Sequence, residues 1–169
     1  MRTVLAIGLL TVCALTAGAQ EPALHESKDG RFAAKFPLQP GSSVTNQKVK
    51  VAGIELALWT SERATSAYSV ACCDLTTDAL KDSPAAKVLE KSEQGFVAQT
   101  KMKVSGSKAT TFGPKAYPAR EFFADREGAQ VRVLLVLAET RLYQVYVIGA
   151  KDTVTGKEVD DFFASFVIK

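Results

Sequence analysis

The sequence predicts an α+β domain: a twisted, mostly antiparallel sheet of about six to eight strands covered by a helix on each face. Three observations carry this. Several segments alternate apolar and polar residues, the two late segments Gln130 to Ala138 and Arg141 to Gly149 are apolar on both faces, and two segments beginning near Asp82 and Gly156 shift to helical spacing. An apolar share of 47% with 23% charged residues over 169 residues fits one folded domain and excludes a disordered chain or a multi-span membrane protein.

Residues 1–19 have the layout of a cleaved signal peptide: Arg2, the apolar run Val4 to Leu15, then small residues ending Ala17-Gly18-Ala19. That run is shorter than the about 20 residues that span a bilayer. The chain is therefore expected to be exported, periplasmic or secreted, with no transmembrane segment after cleavage. Val12, not a small residue, precedes Cys13, which speaks against lipid anchoring there. Gln20 to Gly30 is polar and without periodicity, and reads as a flexible N-terminal segment ahead of a single domain over 31–169.

From Arg31, Phe32, Ala34 and Phe36 share one side of a strand that stops at Pro37, and Pro40-Gly41 marks a turn. Val44 to Val51 and Ile54 to Ser61 read as strands joined at Gly53, with Ala67 to Cys73 following the polar break at Glu62 to Thr65. These four strands are expected to form an antiparallel meander. Next, Ser83 can cap a helix with Pro84 in its first turn, and Ala85, Val88, Leu89, Ser92 and Phe96 fall on one face, with Gly95 weakening the last turn. Lys101 to Phe112 reads as an exposed edge with a break near Gly106, followed by the Gly113-Pro114 turn.

The strongest strand signals are Ala119 to Ala124 and the two two-faced segments. Val131, Val133, Leu135 and Leu137 point one way, and Leu134 and Val136 the other, so the sheet centre is expected to be covered above and below. The second helix, about Gly156 to Ser165, has Val159, Phe162, Phe163 and Phe166 at helical spacing. Burying three phenylalanines contributes on the order of 5–8 kcal/mol before entropy is subtracted, so the C-terminus belongs to the fold.

The chemistry readings are mostly negative. The one histidine, His25, falls in the N-terminal segment, so a Ser-His-Asp or Cys-His mechanism is not expected, nor a zinc site built from several histidines. No glycine-rich phosphate loop occurs and no cofactor is implied. Asp74, Asp78 and Asp82 recur every fourth residue but span a strand end and a helix start, which favours solvated acids over a cation row. A formal net charge of +3, lowered by one on loss of Arg2, argues against nucleic acid. Lys48, Lys50, Lys101, Lys103, Lys108 and Lys115 read as solvated, edge-protecting lysines, the alternative being a weak contact with an anionic surface.

Cys72 and Cys73 are adjacent in a strand and point to opposite faces, which favours one buried and one surface thiol over a redox pair. Arg120 and Glu121 sit inside an apolar strand and read as ion-paired with a neighbouring strand. Of the tyrosines Tyr68, Tyr117, Tyr143 and Tyr146, core packing is favoured over a pocket. Trp59, opposite Leu56 and Leu58, is the side chain singled out as a ligand or partner surface, with Tyr117 beside it as a second candidate.

Three stretches, DGRFAAKFPLQPG at 29–41, RLYQVYVIGAKD at 141–152 and VDDFFASFVIK at 159–169, together resemble exported domains of the PsbP-like, Mog-like superfamily, which includes small bacterial envelope proteins and DcrB-like proteins. The resemblance covers Asp29 to Lys169 and implies an antiparallel sheet sandwiched by helices. Its better-known members are binding or assembly proteins, an extrinsic photosystem subunit and a factor that binds the Ran GTPase, but no functional motif of either matches positions here. The expected function is a monomeric, non-enzymatic binding or assembly protein of the bacterial cell envelope. The alternatives are a small-molecule carrier with a pocket between sheet and helix, lined by Trp59 and a tyrosine, and a hydrolase using paired carboxylates.

Overall fold

The computed structural model describes residues 22–51, 53–81 and 83–169. The leader expected at 1–19 and the acid Asp82 lie outside the described residues. Strands β1 (Ala23–Ser27), β2 (Phe32–Phe36), β3 (Thr45–Val51), β4 (Ile54–Arg63) and β5 (Ser66–Asp74) precede helices α1 (Thr77–Lys81) and α2 (Ala85–Thr100). Strands β6 (Lys103–Phe112), β7 (Tyr117–Arg126), β8 (Ala129–Ala138) and β9 (Arg141–Gly149) follow, then α3 (Lys151–Val154), α4 (Lys157–Ser165) and β10 (Val167–Ile168).

Seven strands form the main sheet in the order β3-β4-β5-β9-β8-β7-β6, and a second sheet has the order β1-β2-β10. Every pairing is antiparallel. Two meanders meet where β5 pairs with β9, from Ser66 opposite Gly149 to Asp74 opposite Arg141. The edge strands β3 and β6 bear Lys48, Lys50, Lys103 and Lys108, and a bulge between Val104 and Gly106 interrupts β6 at the expected break. Lysines and a bulge on an open edge discourage sheet-to-sheet pairing between molecules.

Strands β8 and β9 divide their side chains as their two-faced pattern requires. Val131, Val133, Leu135 and Leu137 join Phe122, Leu142 and Leu89 of α2 in one buried cluster. Leu134, Val136 and Val145 join Phe32, Phe36, Tyr68 and the α4 residues Val159, Phe162 and Phe163 in the other. The Phe162 ring meets Phe36 at 5.2 Å and Tyr68 at 5.4 Å between centroids, while Phe166 meets Phe112 at 5.3 Å and Tyr143 at 5.7 Å.

The structure corrects the sequence reading in several places. Strand β2 leaves the expected four-strand meander and pairs instead with β1 and β10, so the second core is shared between α4 and a small sheet, where the sequence suggested a helix alone. Strand β1 lies inside the segment read as lacking structure, because what defines it is pairing from Ala23 opposite Phe36 to Ser27 opposite Phe32, not its own periodicity. Helix α2 begins one step later than the Ser83 cap implied. Extended Pro84 (φ −52°, ψ 144°) is the N-cap and makes no side-chain capping bond, and its carbonyl accepts from the Lys87 and Val88 amides at 2.8 and 3.1 Å. The end of α2 agrees with the sequence reading: the helix stops at Thr100, with Lys101 in the left-handed region (φ 55°) as its C-cap.

Glu121 finds its partners on both neighbouring strands, accepting from Arg132 Nε at 2.9 Å and lying 2.8 Å from Lys108 Nζ. Arg132 also reaches Asp160 of α4, and its guanidinium stacks 4.7 Å from the Phe163 ring centroid. Arg120 pairs with Glu93 of α2 rather than with a strand, and Ser107 Oγ donates to the same carboxylate at 2.8 Å.

Candidate functional site

Helix α2 packs against β7, β8 and β6, which lie toward one end of the main sheet. Beside it, over β4, β5 and β9, a groove of about 870 Å³ opens between helix and sheet. Its floor is Leu56, Cys73, Leu142 and Gln144, and the adjoining flank of α2 supplies Val88, Ser92, Gly95, Phe96 and Gln99. Leu75 and Ala79 of the α1 region contribute to the lining as well.

The local sequence explains this shape. Residues 88, 92, 95 and 99 recur at helical spacing and therefore share a flank of α2. Phe96 anchors that flank, meeting Phe122 at 5.7 Å and Tyr146 at 5.5 Å in edge-on geometry. At Gly95 nothing lies within 4 Å of the place a Cβ would take. A glycine inside a helix costs about 1 kcal/mol relative to alanine, and here it leaves open volume on the groove side. On the sheet, Leu56 and Leu142 face the groove because alternate residues of β4 and β9 share a face, Cys73 lying opposite Leu142 in register.

Lys50 and Lys91 also line the groove, both with exposed side chains, and no Asp or Glu does so among the described residues. Burial, with smaller contributions from Cys72 and Asp74, pushes the Cys73 thiol up to about 11, so the floor is neutral at pH 7. The groove thus offers apolar walls, two amides and hydroxyl groups, and positive charge at its mouth. Such a set is suited to holding and orienting a ligand, and among the described residues its lining has no carboxylate pair.

The residues singled out from sequence lie elsewhere. Trp59 is 2% exposed in the α4-side core, its ring 5.0 Å from Phe32, so it offers no ligand or partner surface. Tyr117 is half-buried at the start of β7 on that same side, with Lys115 Nζ 5.8 Å from its ring centroid. Neither lines the groove. Both Cys72 and Cys73 are buried, one in each core, which corrects the expected surface thiol; burial pushes the Cys72 thiol up as well. Thiols held protonated on opposite faces are poor redox partners.

Tyr68 and Tyr143 are core residues whose hydroxyls donate to Glu158 Oε2 at 3.0 Å and to the Gly30 carbonyl at 2.9 Å. Asp74 is held by two hydrogen bonds from Arg141, at 2.7 and 2.6 Å, and Asp78 lies 2.9 Å from Lys81, so neither is spare for a cation. Among the described residues, no three His, Cys, Asp or Glu side chains gather for a metal ion. His25 sits on β1 with its ring 5.8 Å from Phe36, and burial lowers its pKa.

The sequence reading allowed a pocket between sheet and helix but lined it with Trp59 and a tyrosine, because the actual walls read as core. Leu56, Leu142 and Phe96 have the spacing of buried residues, and only the helical Gly95 signalled that something other than tight packing occupies that flank.

No family model matches the chain, and no curated protein matches it. Several solved structures are similar to it, among them the following two. The solution structure of cyanobacterial PsbP (CyanoP) from Synechocystis sp. PCC 6803 superposes with a TM-score of 0.62 at 13% identity, covering 96% of this chain and 100% of that one. The crystal structure of a protein of unknown function from Pseudomonas aeruginosa superposes less well, with a TM-score of 0.43 at 9% identity, covering 83% of this chain and 91% of that one. At such identities the first likeness concerns architecture alone. Its extent over both chains establishes that this α+β chain, with its seven-stranded and three-stranded antiparallel sheets, has a PsbP-like fold.

Proposed function

We propose that the chain is an exported, monomeric, non-enzymatic binding protein of the bacterial cell envelope that carries a small apolar molecule in the groove between α2 and the main sheet. One observation carries the reading: an opening of about 870 Å³ with leucine and phenylalanine walls and a few polar groups, within the roughly 300–1,000 Å³ usual for small-molecule sites. The Arg2, Val4 to Leu15, Ala17-Gly18-Ala19 pattern supports export. Kinship with Mog-like and DcrB-like envelope domains, and a layered sandwich with α2 over one sheet face and α4 over the other, belong to this reading. A second reading, an assembly module, draws on Leu24 and Val167, 57% and 48% exposed on the two outer strands of the small sheet.

The neutral fluorophore N-phenyl-1-naphthylamine distinguishes them. Saturable binding at one site per chain is expected. The variant Gly95→Leu, which grows a side chain into open groove space, should weaken it at least about ten-fold while raising thermal stability through helix propensity, by roughly 0.5–1 kcal/mol. Absence of saturable binding, or equal binding by the variant, would overturn the carrier reading.

A further inference from the structure

The charge at the groove mouth identifies the class of ligand. Among the described residues five lysines are matched with carboxylates, Lys48 with Glu55, Lys81 with Asp78, Lys108 with Glu121, Lys157 with Asp161 and Lys169 with Glu26, and the other lysines are not. Lys91 stands on the groove flank of α2 and has no such partner among the described residues. Lys50, on edge strand β3, is opposite Glu55 in register and shares its face of the sheet, the face turned away from Val49, Val51 and Leu56 on the groove side, so its ammonium points away from the groove. One cation, Lys91, therefore borders an apolar channel to which no described residue brings a carboxylate.

Resting on the reading of this groove as a ligand site, we propose that it takes a single-chain amphiphilic anion. The alkyl chain lies on Leu56, Leu142 and Phe96, and a carboxylate or phosphate head sits at the mouth against Lys91. The two parts of such a ligand match the two parts of the site. Apolar burial supplies most of the affinity, in proportion to area removed from water, and the exposed Lys91 ammonium supplies the preference for an anionic head through a charge-assisted hydrogen bond. Gly95 fits this geometry, because a chain lying along α2 approaches the helix backbone most closely where no side chain intervenes. A neutral apolar ligand would gain nothing from Lys91.

The test compares dodecanoate, dodecyl phosphate and dodecan-1-ol, all below their micellar concentrations, by displacement of N-phenyl-1-naphthylamine from the full mature chain. At low ionic strength one or both anions should bind roughly ten-fold more tightly than the alcohol, and the ratio should shrink as salt is added. Comparison of the two anions assigns the head group. In Lys91→Gln, checked for unchanged thermal unfolding, the anion-to-alcohol ratio should fall about three- to ten-fold. Anions and alcohol binding equally, with both lost in Gly95→Leu, would overturn the anion assignment and leave the carrier reading standing. A ratio unmoved by Lys91→Gln would also overturn it. Failure of the fluorophore and all three amphiphiles to bind would remove both.

Discussion

Phe162→Ala is expected to lower the unfolding free energy by about 3–5 kcal/mol, and a chain ending at Gly156 to lose cooperative unfolding altogether. Phe162 is 1% exposed and its ring is bounded by Phe36 from β2, Tyr68 from β5 and Phe163 of its own helix. Because those neighbours come from three elements, no single backbone shift can close the void left by alanine, which puts the site at the costly end for cavity formation. Ending the chain at Gly156 removes more. It strips Val159, Phe162, Phe163 and Phe166 from the core and takes away β10, whose Val167 and Ile168 pair with Ala33 and Phe32. Phe32, Phe36, Tyr68 and Tyr143 would then face water. Urea and thermal unfolding followed by circular dichroism measure both effects; a midpoint unchanged in Phe162→Ala, or a sharp transition in the shortened chain, would show that α4 is not structural.

The second large effect is expected at Arg132→Ala, which should cost about 2–3 kcal/mol, somewhat less than removal of one partner from a fully buried ion pair. The Arg132 and Glu121 side chains are 19% and 14% exposed, so Glu121 would keep its charge with only the more exposed Lys108 as partner. The stacking on Phe163 would be lost as well. Acid titration gives this loss a signature. Burial pushes the Glu121 carboxyl up, but hydrogen bonds from Lys108 and Arg132 more than reverse this, leaving its pKa below the ordinary 4.5. A carboxyl with a depressed folded-state pKa stabilises the fold above its unfolded pKa, and that contribution disappears as pH falls from about 4.5 through the folded value. Without Arg132 the folded pKa moves upward, so the acid limb of the stability curve should shift to higher pH. An acid limb that does not move would mean that Lys108 alone carries the pair.

The sheet was largely legible because its signals are local. Val131 to Leu137 separate by face in the sequence as they do in the two cores, and the break near Gly106 falls at the bulge in β6. Ion pairing at Glu121 followed from a charge inside an apolar strand. What local pattern could not supply was pairing between distant segments. Strand β2 alternates like any strand, yet whether it joins the main meander or a separate sheet is decided by β1 and by Val167, more than 130 residues away. Trp59 misled for a related reason: a tryptophan opposite two leucines is exposed only when nothing covers its face, and here Phe32 of the small sheet does. The groove was least legible, since a wall residue and a core residue have the same composition and spacing until the position of α2 over β6 to β8 is known.

The central claim, that this groove is where the protein binds, is tested most directly by amide chemical-shift mapping of the chain titrated with N-phenyl-1-naphthylamine. The account predicts that the perturbed amides cluster at Leu56, Cys73 and Leu142 and along Val88 to Gln99. Shifts centred instead on Leu24, Lys35 and Val167 of the small sheet, or no saturable shifts at all, would contradict it.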